Sequence, residues 1–239
     1  MTLHLSTLGA ARPWLWSGFR WCKLRFVNLI RAWTIAVTLL PVAACKDNPP
    51  TTPPLEIPIY GACDVQPTYA NEVALNRWPS FPLTYFFDAE TFPTEFIEEY
   101  RSAITSGIRR WDEATVNELG AVVEVDDPED AHFVISYRAT SPVLASARTV
   151  HANGTPFLAG GEIWFNPTGM REGEDLLREG RISRETFLRV TSHIAAHEMG
   201  HLMGIIGHSS RDDVLMGLEF HDAPTQVDVN TLIRAYCRP

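Results

Sequence analysis

An α+β fold is predicted for the body of this chain, residues 60–239, on three observations. Short runs rich in aromatic and β-branched residues lie between turn residues, as strands do. One stretch repeats its apolar residues every three or four positions, the period of an amphipathic helix. Two more helical segments, each opened by its own capping residue, come after the strands.

The elements follow in order. Leu83-Thr84-Tyr85-Phe86-Phe87 is the first strand candidate. Pro93 and Thr94 open a helix along which Ile97, Tyr100, Ile104, Ile108 and Trp111 recur, and Gly120 is expected to close it. Residues 121–125, 132–137, 143–151 and 161–165 are the remaining strand candidates. The polar, charged stretch 169–181 is expected to be a solvated surface loop with a helical turn. Ser183 is the expected N-cap of a second long helix running to Met203. Pro224 and Thr225 open a last helix, with Val229, Leu232, Ile233 and Tyr236 on one side. No internal repeat and no second folded domain is visible.

The second long helix carries the chemistry. Residues 197–208 run His-Glu-Met-Gly-His-Leu-Met-Gly-Ile-Ile-Gly-His. His197 and His201 are one helical turn apart and project from one face, where two imidazoles can share a zinc ion. Glu198 adjoins the first of them and can reach a water at the metal without ligating it. A catalytic zinc takes three protein ligands and keeps one position open. His208 supplies the third if the helix stops in time, and Gly204 provides that stop through its left-handed freedom.

This run, with Met216 downstream, resembles the metzincin zinc peptidases, whose signature is HExxHxxGxxH followed by a methionine turn. The stretch from His208-Ser209 to Leu215-Met216 is similar to the matrixin branch. One departure stands out. The family's third histidine falls where this chain has Gly207, and His208 is one residue late. Met216 keeps its distance from His208, so the turn between Gly204 and His208 is read as holding a one-residue insertion. The resemblance implies a twisted five-stranded mixed sheet over two long helices, with a small C-terminal subdomain ending in a helix. It implies a zinc endopeptidase acting on extended polypeptides. His197, His201 and His208 would be the ligands, Glu198 the general base, and Gly204 and Met216 structural support. A cleft-edge strand within residues 144–151 would pair with substrate backbone, and residues 214–218 would border the pocket beyond the scissile bond. Glu219 is a runner-up third ligand. His193 is read as a packing or supporting residue, because three successive turns are too long to meet at one ion. His132, His151 and His221 are unassigned. A second class of function stays open: a lipid-anchored zinc-binding or scaffold protein of the same fold, for which Glu198 would be unnecessary.

The N-terminal segment differs from the body. Residues 1–45 hold Arg12, Arg20, Lys23, Arg25 and Arg31 and no acidic residue. The rest carries 15 basic against 29 acidic residues, a net of −14, which disfavours nucleic acid as a partner. After Arg31 an apolar stretch too short to span a bilayer ends in Val42-Ala43-Ala44-Cys45. That end resembles a bacterial lipobox, which implies lipid on Cys45 and an extracytoplasmic, membrane-anchored body. An ordinary secretory signal or an uncleaved anchor are the alternatives. Residues 46–59 are a proline-rich tether. Cys22 leaves with the signal and Cys45 takes the lipid. Cys63 and Cys237 are then expected to form a disulfide in an oxidising compartment, worth at most about 5 kcal/mol by chain entropy. A rival role for Cys63, as an inhibitory zinc ligand, lacks the family's local motif. The body is expected to act as a monomer.

Overall fold

A two-residue strand, β1 (Ala74–Leu75), opens the elements of the computed structural model, which describes residues 63–115, 122–139, 143–153 and 155–237. The expected targeting segment 1–45, with Cys45, and the tether 46–59 lie outside the described residues. Among the described residues no helix is long and apolar enough to cross a membrane.

β2 (Leu83–Phe87) alternates strictly. Leu83, Tyr85 and Phe87 are buried, while Thr84 and Phe86 are half-buried on the other face. α1 (Ile97–Ala114) follows a single 3₁₀ turn and buries Tyr100, Ala103, Ile104, Gly107, Ile108 and Trp111. It stops before the expected Gly120, which lies outside the described residues. The Thr115 hydroxyl takes the Trp111 carbonyl, satisfying an acceptor the helix end leaves open. β3 (Val122–Glu124), β4 (Phe133–Tyr137), β5 (Ala145–His151) and β6 (Leu158–Phe165) complete a five-stranded sheet. Its order is β3-β2-β4-β6-β5. The first four strands are parallel to their neighbours, and β5 runs antiparallel to β6 at one edge. The fold is therefore α+β with a mixed sheet.

The stretch expected to be a loop is α2 (Pro167–Arg178). Asn166 caps it by accepting from the Thr168 N–H, and Pro167 suits the first helical position. Met170 and Glu174, one turn apart, are buried, and Leu177 packs on the core. The charges that suggested a solvated loop sit on the outer face of an amphipathic helix. Glu174 is buried because it accepts hydrogen bonds from the hydroxyls of Tyr100 and Tyr137, each at 2.6 Å.

α3 (Arg184–Met203) starts where Ser183 accepts from the Thr186 N–H. It lies against α1 closely enough that a Cβ on Gly107 would be 2.5 Å from the Ser192 carbonyl oxygen. That contact needs glycine. β7 (Ile205–Ile206) pairs antiparallel with β1, a small two-stranded sheet with no counterpart among the expected elements. α4 (Gln226–Tyr236) begins in a capping box between Thr225 and Asp228. A disulfide joins Cys63 to Cys237, just after α4, closing a loop 174 residues long.

Candidate metal centre

α3 sets two of the three imidazoles by its own geometry. His197 and His201 are one turn apart, with ring centroids 5.1 Å from each other. Gly204, at φ 120°, ends the helix; a Cβ there would meet the Asn76 carbonyl oxygen at 2.1 Å. Gly207, at φ 109°, gives the turn a second left-handed residue. The chain then brings His208 back, 5.1 Å from His197 and 5.0 Å from His201 by ring centroid. The three rings form a nearly equilateral triangle, and one nitrogen from each lies within 4.8 Å of the others.

The donor set fits zinc. His197 Nε2 and His208 Nε2 are 3.1 Å apart. Two nitrogens bound to one tetrahedral ion at about 2.0–2.1 Å each would be about 3.3 Å apart. His197 Nδ1–H donates to the Leu215 carbonyl and His201 Nδ1–H to the Ile205 carbonyl, both at 2.8 Å. Those bonds fix the tautomer and leave each Nε2 lone pair available to a metal. Burial, reinforced by the neighbouring histidines, lowers the His197 pKa to about 3 and that of His201 to about 4. Both rings are neutral at physiological pH, the form that binds metal.

Glu198 lies beside them, only 8% exposed. Burial raises its pKa to about 7, against a backbone hydrogen bond from Ala147 of β5 that favours the charged form. The triad and Glu198 line an open cleft of about 640 Å³. Ala145, Ser146 and Ala147 of β5 form one side of it, Ile194 belongs to α3, and Leu218 projects from the segment after Met216.

Met216 is fully buried beneath α3. A Cβ on Gly200 would lie 2.3 Å from its sulfur and 2.8 Å from the Trp111 ring, so the thioether and the indole pack against the helix between His197 and His201. Trp111 also donates its indole N–H to the Ala196 carbonyl. Two further residues belong to this arrangement and escaped the sequence reading. The buried Asp228 carboxylate accepts from the N–H groups of Leu215, Met216 and Thr225 and from the Tyr69 hydroxyl. It thereby holds the peptide whose carbonyl orients His197. The Thr225-x-x-Asp228 capping pattern was its available signal. Glu72 accepts from the Ser210 N–H and the Ser209 hydroxyl, immediately after His208, and nothing in its sequence context marks it.

The other histidines stand apart from the triad. His193 donates through Nδ1 to the His221 carbonyl and packs on Phe220. His132 bonds Thr84 and meets Trp78 edge-on. His151 is exposed on β5, and His221 donates to the Asp212 carbonyl. Glu219 is exposed and outside the three-residue donor cluster found among the described residues.

Neither a protein-family model nor a curated protein sequence matches the chain. Among solved structures, it is similar to a chain described as "GM1 bound form of the ECX AB5 holotoxin". The identity is 12% and the TM-score 0.39, over 71% of this chain and 92% of that one. A likeness of that size decides nothing about fold or activity.

Proposed function

We propose that this chain is a zinc-dependent endopeptidase of the metzincin type that hydrolyses extended polypeptides. One observation carries the reading. Three imidazoles converge on one point in an open cleft, with a buried carboxyl beside them and a sheet edge alongside. His197, His201 and His208 would hold the zinc, whose Lewis acidity would make water a nucleophile at neutral pH and polarise the scissile carbonyl. Glu198 takes the proton of the attacking water and returns it to the leaving amine. β5 ends the sheet and lines the cleft, so an extended peptide can add to it by main-chain hydrogen bonds. We further propose that the protein acts as a monomer outside the cytoplasm, tethered to a bacterial membrane by lipid on Cys45.

The test is Glu198→Ala, assayed on an unfolded protein substrate with zinc content measured in parallel. The variant should keep its zinc and lose hydrolysis by about 10²–10⁴-fold, the usual worth of a general base. Equal hydrolysis by variant and wild type would sink the mechanism. A zinc-loaded wild type that cleaves nothing would point instead to a binding protein of the same fold.

A further inference from the structure

We infer that Glu72 is the positioning residue for the third imidazole: its carboxylate fixes the turn that brings His208 to the metal. The inference rests on the metal-site reading above.

The three rings are held unequally. His197 and His201 come from a rigid helix, and each Nδ1–H is pinned by a backbone carbonyl. His208 has neither support. It is exposed, it follows two left-handed glycines, and its ring has no such carbonyl partner among the described residues. A backbone with that freedom does not place a ligand to within a few tenths of an ångström unless something outside the turn restrains it.

One restraint is local, from the Ser209 N–H to the Met216 carbonyl at 2.9 Å; the others come from a segment over 130 residues away in sequence. Glu72 Oε2 accepts from the Ser210 N–H at 2.6 Å and from the Ser209 hydroxyl at 3.3 Å, on the downstream side of His208. On the upstream side, Ala74 of β1 is paired with Ile206 of β7, and the Asn76 N–H donates to the Gly204 carbonyl at 2.9 Å. Val73 lies at van der Waals distance from where a Cβ on Gly207 would be. Residues 72–76 therefore hold the turn on both sides of the ligand. Glu72 itself is exposed, so its two hydrogen bonds add little to global stability. Their effect is local, on where His208 points.

The test is zinc affinity of the full chain, purified in detergent and titrated against a competing chromophoric chelator. Glu72→Ala should weaken zinc binding about 10–100-fold, as loss of a group that orients a ligand does. Glu72→Gln, whose amide oxygen still accepts from the Ser210 N–H, should recover most of that loss. The double variant Glu72→Ala with His208→Ala should bind no more weakly than His208→Ala alone, because the effect runs through that ring. The urea midpoint of metal-free Glu72→Ala should stay near wild type. Unchanged affinity in Glu72→Ala, or an equal further loss in the His208→Ala background, would overturn the inference. A chain whose zinc affinity depends on Glu72 yet which cleaves no polypeptide would defeat the peptidase reading alone. An active peptidase indifferent to Glu72 would do the reverse.

Discussion

Glu198→Gln in the metal-free chain should raise stability, by an amount set by pH. Burial holds the Glu198 pKa at about 7, against an ordinary value of 4.5. Below pH 4.5 the carboxyl is protonated in both folded and unfolded chains, and glutamine is a close neutral substitute for it. Between 4.5 and 7 the unfolded chain releases that proton while the folded one keeps it. Folded protein then binds more protons than unfolded, so the contribution of this group to stability falls as pH rises. The size follows from the separation of the two pKa values, about 1.36 kcal/mol for each pH unit, or about 3 kcal/mol in all. The variant should match wild type near pH 4 and exceed it by about 3 kcal/mol at pH 7. The assay is urea unfolding with a chelator present, at matched ionic strength, across that range. Comparing the two proteins cancels the titration of the histidines, which both retain. A pH-independent difference, or an advantage for wild type at pH 7, would refute the claim that burial keeps this carboxyl protonated. Added zinc should shrink the gap, since a cation beside the carboxyl favours its charged form.

Two further outcomes are expected. His208→Ala should sharply lower zinc content by direct metal analysis, whereas Glu219→Ala should leave it unchanged, because Glu219 stands outside the donor cluster. Asp228→Ala leaves the N–H groups of Leu215, Met216 and Thr225 without their acceptor. At about 1–3 kcal/mol for each buried donor that finds no water, a loss of several kcal/mol is expected in chemical denaturation. Zinc affinity should fall with it, through the Leu215 carbonyl that orients His197.

Much of the fold was legible because its signals are local. The aromatic alternation of residues 83–87, the three-and-four spacing from Ile97 to Trp111, and the Ser183 cap each follow from the period of their own element. α2 was missed for a local reason too. Its charges outnumber its apolar residues, and the buried stripe is only Met170, Glu174 and the half-buried Leu177. One member of that stripe is itself an acid, tolerable only because two tyrosine hydroxyls from α1 and β4 reach it. No helical period could announce such a partner. The β1–β7 pair was missed because two residues per strand carry no pattern.

The sequence by itself determined the donor types and half of their geometry. Helical spacing places His197 beside His201 and puts Glu198 next to the first, and the glycine at 204 ends that helix whatever surrounds it. Only the tertiary structure decided that His208, one residue late, still closes the triangle. The position of that ring depends on contacts with residues 72–76, and the orientation of His197 on the Asp228 carboxylate, itself bonded by Tyr69, beneath the Met216 turn. The contacts made by residues 69–76 join segments more than a hundred residues apart, and a restraint that acts through space leaves no period along the chain.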